Sequence, residues 1–451
     1  EFSFTVQNVD SFNFRITAAG KFIIDWGDDQ KEVLTRTIMS FDPIDHTYSE
    51  PGTYVIKIRG QATDYNVSVP TISFKDSPNR SKIVSISGGL GRVFPTISNN
   101  KNPNFNATFS TCTGIQQIPS DLFAGLTGKP SNFMFQDVFN GCTGLRGEIP
   151  PGLFGNLSGA PSVYMFSNAF KGCAGLTGSI PPGLFGNLVG PPAVGIFNAT
   201  FSGCSGLTGE IQVGLFGNLS GNAASTMFAH TFSGCTGLTG SIPAGLFGII
   251  TVNPQFAMFN NPFKDCRGLT GSIPDGLFGN MTGAPATSMF GGTFNGCSGL
   301  TGPIPAGLFA SITGKPASAM FTNTFNGCSG LTGEIPSDLF AGISGVGDAG
   351  MFNGTFKNCS GLTGQIPAGL FGNINGNTYS GMFGGTFAGC SGLTGTIPSG
   401  LFGKFTSTPA PGMFQGTFQG CTNLTGIGDG IWDLSGLLWG NNMYNAFDNM
   451  F

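Results

Sequence analysis

The sequence predicts a repeat solenoid of 31-residue coils, with a short strand and a short helix in each, preceded by a small all-β domain. Three observations carry this expectation. The 11 cysteines fall at 112, at 142 and then every 31 residues as far as 421. Around them recurs M-F-x-x-T-F-x-G-C-x-G-L-T-G-x-I-P-x-G-L-F-G-N, followed by about eight variable residues. A fixed period of this length marks a tandem array, whose units bury a core only by stacking. The charge is also uneven: residues 1–95 hold 21 of the 42 charged side chains, and the remaining 356 residues hold the other 21.

Composition narrows the function classes. Glycine is abundant, at 75 of 451 residues, but follows no G-X-Y period, so the chain is not collagen-like. Net charge is −4, with only 19 Lys and Arg, which argues against nucleic-acid binding through phosphates. Two histidines, His46 and His230, leave little for His-based catalysis. A 40% hydrophobic content is too high for disorder. No run of apolar residues is long enough for a transmembrane segment.

The front end reads as strands. In EFSFTVQNV, Phe2, Phe4 and Val6 alternate with Ser3, Thr5 and Gln7. FNFRI, KFIIDW and TYVIKIRG follow the same habit, and GDD at 27–29 and SEPGTY at 49–54 are turn signals. IIDWGDD at 23–29 with HTYSEPGTYVIKI at 46–58 resembles the PKD-type immunoglobulin-like sandwich. The resemblance covers about residues 1–70 and implies an extracellular spacer or interaction module. Asp29 stands where that family usually has glycine.

Within a coil, MFGGTFNGC places Phe290, Phe294 and Cys297 at i, i+4 and i+7, which predicts one face of a short helix. In LTGPIP, Leu300 and Ile304 share one parity and Thr301 the other, which predicts a strand with Thr outward. T-F-x-G-C-x-G-L-T-G-x-I-P resembles the BspA-type bacterial surface repeat of the leucine-rich-repeat superfamily. L-T-G-x-I-P-x-G-L-F also matches a stretch of plant-type leucine-rich repeats. The expected boundaries are 1–82 for the sandwich, 83–441 for the array with its N-terminal capping stretch, and 442–451 for a partial repeat or cap.

Two columns stand out. Cys142, Cys173, Cys204, Cys235, Cys266, Cys297, Cys328, Cys359, Cys390 and Cys421 share one phase, which predicts a structural ladder of buried thiols. Thr177, Thr208, Thr239, Thr270, Thr301, Thr332, Thr363 and Thr394 each follow the repeat leucine, which predicts an outward binding face. The variable segment is read as a loop edge. Asp25, Asp28 and Asp29 crowd one turn, read as turn chemistry with a Ca²⁺ site as the alternative. Catalytic motifs, cofactor sites and metal sites are not found.

The ends suggest assembly. Phe2, Phe4 and Val6 form an apolar strand, and NAFDNMF brings Phe447 and Phe451. Trp432 and Trp439 are candidates for a C-terminal cap. The absent signal peptide fits a mature or trimmed secreted form. The family resemblance implies a non-enzymatic extracellular or cell-surface protein that binds protein or glycan. A structural subunit binding copies of itself head to tail is the alternative, and ice or crystal-surface binding by the Thr ladder is a distant one.

Overall fold

The computed structural model describes every residue except 39, 99–100, 248, 253, 280 and 429–447. The described residues form two compact units, Glu1–Ser220 with Gly234–Gly237, and Gly221–Ser233 with Leu238–Phe451.

The first unit begins with six strands: β1 (Phe2–Ile16), β2 (Ala19–Asp25), β3 (Lys31–Arg36), β4 (Ile44–Asp64), β5 (Ile72–Ser73) and β6 (Ile83–Gly88). They pair antiparallel in the order β3-β2-β4-β1-β5, with β6 also on β1. The strands hydrogen-bond into one continuous sheet. The physical reason is a bulge. β1 shifts register around Asn8, whose φ is +55°, and bends without breaking its pairing to β4. Both halves then reach one aromatic core, where Phe4 lies 5.5 Å from Phe12 and 5.7 Å from Phe14. Ile83–Gly88, read in the sequence as part of the array's capping stretch, is β6 and pairs with β1.

Beyond α1 (Leu90–Val93) each coil has three paired segments. The first is M-F-x-x-T-F-x-G-C. It is a chain of tight turns, and the expected helix is absent. Within one coil Thr293 N–H donates to Phe290 O at 3.2 Å and Cys297 N–H to Phe294 O at 3.0 Å, an i→i−3 pattern. The alternate amides reach the next coil: Phe290 N–H donates to Met320 O at 3.0 Å and Phe294 N–H to Thr324 O at 2.8 Å. Every fourth residue is left-handed, with φ +54° at Ser288, +60° at Gly292 and +77° at Gly296. A right-handed helix cannot include these residues, and it would consume the amides that join the coils.

The second segment, L-T-G-x-I, pairs in parallel with its neighbours. In the second unit Gly364–Gln365, Leu393–Ile397 and Leu424–Ile427 form a three-stranded sheet, and isolated bridges such as Gly302 to Leu331 continue the pattern. The third segment begins the variable stretch. In the first unit β7 (Thr127–Gly128), β8 (Asn156–Gly159) and β9 (Asn187–Gly190) pair in parallel in sequence order, and Asn218 and Leu219 of β10 (Asn218–Asn222) pair with β9. The start of the variable stretch is therefore a ladder, and only its remainder is loop.

Phenylalanine columns fill the coils. Phe290 and Phe321 stack at 5.6 Å and 6°, Phe294 and Phe325 at 5.6 Å and 11°, and Phe309 and Phe340 at 6.0 Å and 11°. Phe309 also tilts against Phe290 at 4.7 Å, which locks two columns together. Each buried Phe contributes about 1.5–3 kcal/mol of transfer free energy.

Candidate binding surfaces

The cysteines line the core of the coils. All 11 cysteines are buried thiols. Each Sγ from Cys142 onward donates to a phenylalanine carbonyl of the preceding coil, as in Cys173 to Phe139 O at 3.1 Å and Cys328 to Phe294 O at 3.0 Å. Burial pushes the Cys173 thiol up to about 12, against a smaller lowering by the backbone bond at Cys142. Burial, with the neighbouring Cys359 and Cys297 thiols, likewise holds Cys328 well above the ordinary thiol range. These groups stay protonated and inert, because the thiolate is the reactive form.

A second buried column was not legible as such. Thr200, Thr231, Thr293, Thr324, Thr355, Thr386 and Thr417, the Thr of M-F-x-x-T-F, are 0% exposed. Thr355 Oγ1 lies 3.0 Å from Phe321 O in the preceding coil and 2.9 Å from Phe352 O in its own. The sequence signal is a polar residue held at one phase between apolar neighbours.

Thr177 and Thr208 in the first unit, and Thr239, Thr270, Thr301, Thr332, Thr363 and Thr394 in the second, are all exposed. Their backbones are fixed between coils: Thr301 N–H donates to Gly271 O and Thr332 N–H to Gly302 O, both at 2.9 Å. The glycine that follows is left-handed, +75° at Gly364. A Cβ there would meet Glu334 Cγ at 2.6 Å, so side chains of the x column lie over the next coil's glycine. Glu148, Glu210 and Glu334 put carboxylates beside the threonines.

The assembly residues are placed differently from expectation. Phe2, Phe4 and Val6 are buried, and β1 is paired on both edges, by β4 and β6. A strand with both edges occupied has no edge to donate to a second chain. Phe451 is exposed and lies 6.1 Å from Phe418. Phe447, Trp432 and Trp439 lie outside the described residues.

The aromatic and acidic residues of 26–29 and 46–54 assemble into one cluster. The His46 ring stacks on Trp26 at 4.7 Å, and its Nε2 lies 2.7 Å from Asp28 Oδ2. Tyr48 donates its hydroxyl to Trp26 O at 3.1 Å and stacks on Tyr54 at 3.6 Å. Burial works to raise the Asp28 carboxyl, but the His46 bond and the Gln30 amide outweigh it and hold it below the usual range. Asp25 accepts the Gly27 amide at 3.2 Å, and Asp29 takes a left-handed φ of +67°. Both are turn roles. Among the described residues no three His, Cys, Asp or Glu side chains converge on a point that could hold a metal. No helix among them is long and apolar enough to cross a membrane.

No family model matches the chain, and no curated protein matches it. One solved structure, described as the crystal structure of a TDR receptor, aligns at 15% identity with a TM-score of 0.16. The alignment covers 70% of this chain and 59% of that one.

Proposed function

We propose that the chain is a non-enzymatic recognition scaffold outside the cell, in the manner of leucine-rich-repeat surface proteins, with its sheet domain as a PKD-like spacer. Its exposed threonine column contacts a protein or glycan at a cell surface. The observation that carries this reading is the threonine register. In the second unit Thr301 and Thr332 lie on successive coils, each backbone fixed by a bond to the coil before it. A surface held by inter-coil bonds loses little entropy on binding. Each hydroxyl both donates and accepts, which suits amides and sugar hydroxyls. The low charge of the array makes such contact weakly dependent on salt.

The test uses the monomeric full chain on arrays of glycans and extracellular-matrix proteins. A triple variant carrying Thr301→Tyr, Thr332→Tyr and Thr363→Tyr blocks the column without touching the core. Selective binding by the wild type that the variant loses supports the reading. Filaments at high protein concentration, with no binding by the monomer, replace it with the structural-subunit alternative.

A further inference from the structure

We propose a second binding site beyond the threonine face: an amide-lined trough on the turn segments of the second unit, fitted to a neutral polyhydroxylated chain, a glycan. Two adjoining cavities of about 290 and 140 Å³ share Asn323 as a wall. The larger is lined by Asn353, Gln415 and Gln419 among others, with Lys357 as its single charged residue. The smaller is lined by Asn260, Asn261 and Asn295 among others, and holds no charged residue.

The trough exists because coils that carry asparagine are followed by coils that carry glycine: Asn260 by Gly291, Asn323 by Gly354 and Asn353 by Gly384. At the left-handed position, glycine at 292 and 354 has an ordinary reason, since φ is +60° and +62°. Gly291 and Gly384 have no such reason, because neither is left-handed. Their lack of a side chain makes room. A Cβ on Gly291 would come within 2.7 Å of Asn260 Nδ2, and one on Gly384 within 2.8 Å of Asn353 Nδ2. The amides therefore lie along the stacking direction, over a glycine floor. Asn260 and Asn353 donate long bonds, each 3.4 Å, to Ser288 O and Gly381 O, while Asn260 Oδ1 accepts the Asn261 amide at 2.6 Å. Amide groups offer two donors and an acceptor each, the complement of sugar hydroxyls. A floor without carboxylates and with one lysine selects against strongly charged polymers.

Affinity electrophoresis of the full chain, in gels containing dextran, mannan or galactan, tests the site, with heparin as the acidic control. Asn323→Gly removes the shared amide, and glycine accepts the φ of +55° found there. Gly384→Ala fills the floor. Retardation by at least one neutral polysaccharide is expected, unchanged by salt. Each variant is expected to weaken it about tenfold, the worth of one or two hydrogen bonds. Val33→Thr, an exposed substitution on the N-terminal sheet and outside both proposed surfaces, keeps full retardation. No retardation by any neutral polysaccharide, retardation by heparin alone, or unchanged retardation of folded Asn323→Gly overturns the proposal.

Discussion

The thiol of Cys328 donates to the carbonyl of Phe294, 34 residues earlier in the chain, at 3.0 Å. The same bond recurs in coil after coil, from Cys204 to Phe170 O in the first unit to Cys421 to Phe387 O in the second. Cysteine is thus a tie between coils as well as a small apolar filler. Cys328→Ala removes this donor, while Phe294 O keeps the Cys297 amide, for an expected loss of about 0.5–1.5 kcal/mol. Cooperative denaturation in urea measures it. A change near zero would mean the thiol only fills space.

Protonation of the column sets an alkaline limit. The thiols of Cys173 and Cys359 lie at about 12, while those of an unfolded chain lie near 9. Folding therefore favours the neutral form. The stabilisation is complete below about 9 and is lost as pH rises from there toward 12, at about 1.4 kcal/mol per pH unit for each thiol. Melting temperature is expected to be flat up to pH 9 and to fall steeply above it. A thiol reagent at pH 8 is expected to find no cysteine in the native chain and all 11 in denaturant.

The two threonine columns respond oppositely to substitution. Thr355→Val keeps the shape but deletes a hydroxyl that lies between two carbonyls, at 3.0 and 2.9 Å. It is expected to cost about 0.5–1.5 kcal/mol, because the carbonyls keep the Thr324 and Thr355 amides as donors. Thr363→Val, on the exposed column, is expected to stay within about 0.5 kcal/mol. Equal effects would contradict the assignment of one column to the core and the other to the surface.

The N-terminal sheet depends on the His46–Asp28 pair. His46→Ala removes both the stack on Trp26 and the bond to Asp28, for an expected loss of about 1–3 kcal/mol. Asp28 is held below its ordinary pKa, so its contribution is present above about 4 and is lost as pH falls below that. His46→Ala is expected to flatten that acid limb. An unchanged acid limb would show that the pair does not control it.

Much of this was readable in the chain. The period and the cysteine column follow from spacing alone, because a residue repeated at one phase must occupy one place in every coil. The outward threonines follow from strand parity. The helix was misread because Phe290 and Phe294 fall on one side of either a helix or a chain of tight turns. What separates the two is non-local, since the amides of Phe290 and Phe294 bond to the next coil. A local hint existed in the glycines at 292 and 296, which accept left-handed backbone, but Ser288 gives none. The single sheet was hidden by the bulge at Asn8, which leaves strand alternation intact on both sides. The trough was illegible because Gly291 and Gly384 resemble all other glycines until the neighbouring coil's asparagines are placed.

The most direct test of the central claim is binding of the monomeric chain to intact cell surfaces, with and without Thr301→Tyr, Thr332→Tyr and Thr363→Tyr together. Saturable binding that the triple variant loses, at unchanged melting temperature, is the predicted result. Binding that the variant retains in full, or no saturable binding by the wild type, would contradict it.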